Sequence, residues 1–162
     1  MRRAKELLGM PIISRTKGEI IGEVDDILFD SLSGKLKILI IKNIEKTYTT
    51  IDNIYKIGED LIVIEDRNLL YSESLDEVEK LASLNSGQNT ILGEEVITSD
   101  GKEIGAVKDI VIDEKNYKMA GYEISGGIFN DLLKGRNILP MDNNYVQGED
   151  AVILEDNDLK EI

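Results

Sequence analysis

The chain has 162 residues, with 32 Asp or Glu against 19 Lys or Arg, a formal net charge of −13, and no Cys, His or Trp. Without Cys there is no disulfide framework, thiolate nucleophile or Cys-bound metal; without His there is no Ser-His-Asp triad, imidazole base or His-ligated haem or zinc. Carboxylates, Lys, Tyr and hydroxyls remain for chemistry, and oxygen ligands alone for a hard cation such as Mg²⁺ or Ca²⁺.

Ile and Val together outnumber Ala by 32 to 5, and β-branched side chains favour strands where Ala favours helices. Met1-Arg2-Arg3 has the charge of a signal-peptide start, but Gly9 and Pro11 break the apolar stretch that follows, and no small-residue cleavage site comes after it. No apolar run reaches the roughly 18 residues of a membrane span, and the chain is expected to be cytoplasmic. Residues 10–14 read as a short strand and the Lys17-Gly18 region as a turn. Residues 21–30 form the next strand, with Ile21, Val24, Ile27 and Phe29 as core positions. Ser33-Gly34 turns the chain into residues 35–42, where alternation puts Leu36, Ile38 and Ile40 on one face and Lys35 and Lys37 on the other. Gly58-Glu59-Asp60 makes a further turn before the apolar strand 61–65. Five or six short strands in about 65 residues suggest a small closed barrel, which pairs edges that so small a sheet would leave open.

A connector follows. Ser74-Leu75-Asp76-Glu77 fits the S-x-x-E capping box, Leu75, Val78, Leu81 and Ala82 share one helical face, and Asn85-Ser86-Gly87 would close the helix. The second half then repeats the first. Leu8-Gly9 and Ile12-Ile13-Ser14 match Leu92-Gly93 and Val96-Ile97-Thr98, and Ile21-Gly22-Glu23-Val24 matches Ile104-Gly105-Ala106-Val107. Asp26-Ile27-Leu28-Phe29-Asp30 falls on Asp109-Ile110-Val111-Ile112-Asp113, and the Gly-Glu-Asp-apolar run at 58–66 falls on 148–156. The offset grows from 83 to 90, so seven extra residues lie within 125–136 of the second copy. Such order over two halves marks a duplication.

These motifs resemble the PRC-barrel domain. The opening Leu8-Gly9-x-x-Ile-Ile-Ser, the run Gly18-x-x-Ile21-Gly22-x-Val24-x-Asp26-Ile27-Leu28-Phe29-Asp30 and the closing Gly-Glu-Asp run carry the resemblance, as do their second copies and Ile138-Leu139-Pro140. Repeat 1 departs from the pattern with Thr50-Ile51-Asp52 in place of that last tripeptide. The tandem arrangement is similar to two-domain bacterial proteins, commonly of low-GC Gram-positive species. The family takes in the cytoplasmic domain of the reaction-centre H subunit and the C-terminal domain of a ribosome-maturation factor. The resemblance implies an all-β chain: two tandem small β-barrels, at 1–70 and 89–162, joined by a short α-helix within 71–88. It implies a protein-interaction module and no shared enzyme activity, since fold alone does not supply function.

The candidate chemical groups have simpler readings. Asp25, Asp26 and Asp30, with Asp109 and Asp113, have the charge for metal binding or acid–base work, but five-residue spacing along a strand separates such carboxylates by roughly 13 Å; turn capping or solvent exposure is expected instead. Glu65-Asp66 and Glu155-Asp156-Asn157-Asp158 lack the calcium-loop pattern and read as solvated strand exits. Gly126-Gly127 fits neither phosphate-loop motif. No catalytic, cofactor or metal residue is therefore assigned.

Charge is uneven, with a net −1 for residues 1–70, −3 for 71–88 and −9 for 89–162. Nucleic-acid binding is disfavoured, because the second half repels phosphate. Arg2, Arg3, Lys5, Lys35 and Lys37 offer a weak positive face to a phosphate or an anionic membrane. The expected activity is that of a non-enzymatic adaptor for protein partners or a second copy of the chain; the alternative is an accessory role in RNA or ribosome metabolism. Ile128, Phe129, Leu132 and Leu133, spaced as on one face of a helical turn in the extra loop, are the candidate partner-binding residues. The simpler explanation is that they fold back as a plug on an open end of their own barrel or against the linker helix.

Overall fold

The computed structural model describes residues 1–67, 69–71, 81–86, 89–126, 138–141, 145–148 and 150–155. Repeat 1 is built from β2 (Pro11–Ser14), β3 (Ile20–Phe29), β4 (Leu36–Lys42), β5 (Thr47–Thr50), β6 (Ile54–Ile57), β7 (Ile62–Ile64) and β8 (Leu70–Tyr71), preceded by β1 (Arg2–Arg3) and a 3₁₀ turn, Ala4–Leu7. Then come β9 (Ala82–Ser83), β10 (Glu95–Thr98), β11 (Glu103–Asp113), β12 (Lys118–Ser125), β13 (Ile138–Pro140), β14 (Tyr145–Gln147) and β15 (Ala151–Leu154). Two curled sheets result, ordered β6-β7-β2-β3-β4-β5-β8 and β13-β12-β11-β10-β15-β14. Among the described residues each contains one parallel strand pair, β2 with β7 and β10 with β15, at equivalent registers (Ile12 opposite Ile62, Val96 opposite Val152). Among the described residues no helix is long and apolar enough to cross a membrane.

The expected core of β3 is buried at all four positions. In β4 the buried residues are Leu36, Leu39 and Ile41, while Ile38 and Ile40 are only partly covered. The alternation breaks because Leu28 and Phe29 pair with Ile38 and Leu36, leaving Lys37 as an extra residue in a bulge. A bulge shifts every later side chain to the other face. The same irregularity recurs at Ala120, between the pairs Val111–Gly121 and Ile112–Met119.

The Ile-Gly pairs of the repeat have a steric cause. A Cβ on Gly22 would stand 2.6 Å from the Lys42 carbonyl oxygen, and one on Gly105 would stand still closer to that of Ser125. Glycine there lets the long strand bend over its neighbour. Lys46 closes the β4–β5 turn at φ 51°, where an L side chain is strained. Lys46→Gly is expected to raise stability by about 0.5–1 kcal/mol, after the entropy Gly loses on folding; urea unfolding would measure it.

The connector differs from the expected helix where it is described. Ala82 and Ser83 form β9 and pair with Phe29 and Leu28 of β3, and residues 81–86 contain no helical turn. The pairing wins because Ala82 and Leu84 become buried against the repeat 1 core. The capping-box residues 74–77 lie outside the described residues.

A reciprocal contact is made by the N-terminus. Arg2 and Arg3 in β1 pair with Ile112 and Val111 of β11, in repeat 2. Each segment that precedes one sheet thus adds a short strand to the long strand of the other. One continuous apolar core runs through both, including Ala4, Leu7, Phe29, Leu84, Ile91 and Tyr122.

Candidate interaction surface

The Asp residues recurring in both copies are structural caps. Asp26, 2% exposed, accepts from the backbone N–H of Asn85 (3.1 Å), the N–H of Ser86 (3.0 Å) and the Ser86 hydroxyl (2.6 Å), as well as from its neighbour Ile27. Asp109 accepts from the N–H of Lys5 (3.1 Å) and of Ile110 (2.7 Å). Each carboxylate therefore holds the segment arriving from the opposite half. Asp30 and Asp113 close the next turns, accepting from the N–H groups of Leu32 and Ser33, and of Lys115 and Asn116. The Ser33 amide holds the Asp30 carboxyl below the usual range, and the Asn116 side-chain amide does the same for Asp113. Both groups favour the folded state when ionised. Their contribution is complete above the ordinary carboxylate pKa and is lost as pH falls through the depressed folded value. Acid titration of Asp30→Asn should thus show a shallower loss of stability below about pH 4 than the parent chain.

The basic residues named from sequence are divided among several tasks. Arg2 reaches Glu114 at 2.6 Å and donates to the Gly58 carbonyl at 2.6 Å, which ties the two halves together. Arg3 pairs at 2.6 Å with Glu123, a nearly buried carboxylate that Lys108 also approaches at 3.6 Å, and this partner raises the arginine pKa. Lys35 sits opposite Lys118 in an isolated bridge between the repeats. Lys37 is the exposed bulge residue of β4. Arg2 and Arg3 are thus held against acidic groups of repeat 2, a use that spacing in the sequence does not signal.

The loop candidates Ile128, Phe129, Leu132 and Leu133 lie outside the described residues. Its anchors do not: β12 ends at Ser125, and Ile138 of β13 pairs with Glu123. The equivalent loop of repeat 1 is the turn 43–46, where Ile44 is fully exposed. Ile44 borders a cleft of about 370 Å³ with Ile21, Gly22, Lys42, Asn43, Glu45 and Arg67. Arg67 is positioned there by a 2.6 Å ion pair with Glu19. The neighbouring Ile20 is 70% exposed, and Leu70 and Tyr71 of β8, paired with Tyr48 and Thr47 just beyond the turn, are exposed too. Both copies therefore carry large apolar residues in or beside the same connection, described in repeat 1 and read from sequence in repeat 2. Single exposed apolar residues are ordinary on a protein surface, whereas a contiguous exposed apolar patch is a candidate contact site. Ile20 and Ile44 escaped the sequence reading because their exposure depends on where β3 and β4 end.

The family model of the PRC-barrel domain matches residues 1–70 and again 86–160. The chain belongs to the PRC-barrel family. Comparison with curated proteins gives no match. The two matched PRC-barrel segments coincide with the two curled sheets, apart from the strands β1 and β9 that each sheet takes from the other half's leading segment. In repeat 2 the match begins at residue 86, after β9, and so leaves the crossing strand outside it.

Proposed function

We propose that this tandem PRC-barrel chain is a non-enzymatic cytoplasmic adaptor that binds protein partners through the β4–β5 end of repeat 1 and the corresponding loop of repeat 2. The observation that carries this reading is the exposed apolar group around Ile44 and its cleft. The capping roles of Asp26, Asp30, Asp109 and Asp113 support it, because these carboxylates are used in holding backbone amides. A family of interaction modules fits such a surface.

Ile44→Asp and the pair Phe129→Asp with Leu132→Asp provide the test. Ile44→Asp should leave the melting temperature within about 2 °C of the parent, since surface changes seldom exceed 0.5 kcal/mol. Partners captured from the source cell by the parent should be lost with Ile44→Asp, with the loop pair, or with both. Retention of every partner by both variants would remove these surfaces from the proposal. Fluorescence anisotropy with RNA and DNA oligonucleotides should give no binding tighter than about 10 µM at physiological salt. A tight, steeply salt-dependent complex would instead favour the ribosomal role.

A further inference from the structure

The contacts between the repeats join equivalent positions. With the 83-residue offset, Gly34, Lys35 and Leu36 correspond to Tyr117, Lys118 and Met119. The Leu36 N–H donates to the Tyr117 carbonyl at 2.9 Å, and the Met119 N–H donates to the Gly34 carbonyl at 2.8 Å, with Lys35 opposite Lys118 between them. Position 35 thus meets its own counterpart, as happens on a twofold axis. The crossing strands obey the same symmetry: β9 pairs with Leu28 and Phe29, and β1 with their counterparts Val111 and Ile112. So do the caps, Asp26 on residues 85–86 and Asp109 on Lys5.

We infer that the contact between the repeats is an isologous dimer interface carried within one chain, and that the partner fitting either face is the complementary repeat of a second copy. The stretch of chain between β8 and β9 then acts as a tether that raises the effective concentration of one half for the other. Two copies can trade halves, closing as a pair or continuing as a run. An isologous surface is self-complementary and therefore does not distinguish a half of its own chain from the same half of another.

The test uses the full chain with a specific protease site placed between residues 75 and 76. After cleavage, the halves should elute together at the volume of the intact chain and melt in one cooperative step. Mixing cleaved light chain with cleaved isotopically heavy chain should give pairs of intermediate mass, about half of the total by native mass spectrometry. Ser86→Ala, which removes the 2.6 Å hydroxyl bond to Asp26 from an exposed position, should weaken the cleaved pair about fivefold, the factor for a net bond of about 1 kcal/mol. Separation of the halves after cleavage would overturn the inference. So would pairs of parental mass only, or an Ser86→Ala pair as tight as the parent.

Discussion

Asp26→Ala is expected to destabilise the protein by about 3 kcal/mol, the range for a broken buried hydrogen-bond network. At this chain length that lowers the melting temperature by about 6–12 °C. The cause is the set of donors that Asp26 holds: two backbone amides and a hydroxyl from residues 85–86, and its own neighbour's amide. Alanine leaves those donors facing a site 2% exposed. Asp26→Asn should recover part of the loss, because its carbonyl oxygen still accepts one set of amides while its NH₂ opposes the other. Thermal unfolding followed by circular dichroism would check both. Asp25, the exposed residue beside it, supplies the control, and Asp25→Ala should change stability by less than about 0.5 kcal/mol. Equal effects of the two alanine variants would contradict the capping role.

Removal of residues 1–7 is expected to cost on the order of 4 kcal/mol, and the damage should appear in the other half of the molecule. Ala4 and Leu7 are fully buried, and a Leu side chain alone is worth about 1.5–3 kcal/mol of burial. The deletion also strips β11 of its pairing with Arg2 and Arg3 and leaves Glu123 with Lys108 alone. Hydrogen exchange should therefore rise in β11 around Val111 and Ile112, some hundred residues from the deletion. A rise confined to β2, the strand next in sequence, would show that the arm serves its own repeat instead. Arg3→Ala tests the polar part alone. It should cost far less than the whole deletion, because the guanidinium is half exposed and solvent screens the pair.

Several features were legible because they are local. The duplication, the turn glycines and the core positions Ile21, Val24, Ile27 and Phe29 depend on short-range pattern, and the structure keeps them. The same reasoning misplaced the inner face of β4, since a single bulge at Lys37 moves Leu39 and Ile41 inward, and bulges leave no mark in hydrophobic alternation. It also gave Ala82 to a helix. The S-x-x-E motif and apolar spacing are helical signals of modest energy, and burial of Ala82 and Leu84 against β3 outweighs them at that end of the connector.

Tyr117 shows the limit from the opposite direction. It occupies a left-handed position (φ 47°) where repeat 1 has Gly34, a substitution that local preference opposes. Its carbonyl accepts from Leu36 across the repeat interface, and its side chain packs on the shared core, so contacts with the other half hold the strained backbone.

The sequence by itself determined that this chain is a duplicated all-β protein without cysteine or histidine chemistry. Residue inventory, β-branched composition and a repeated turn pattern are properties of the chain read along its length. Only the tertiary structure decided that Asp26 and Asp109 hold the segments leading into the other half, that Arg2 joins the two halves, and that Ile20 and Ile44 stand in solvent beside a cleft. The physical reason is that a buried polar group or an exposed apolar one is defined by its neighbours, and these come from segments as far apart as Lys5 and Asp109.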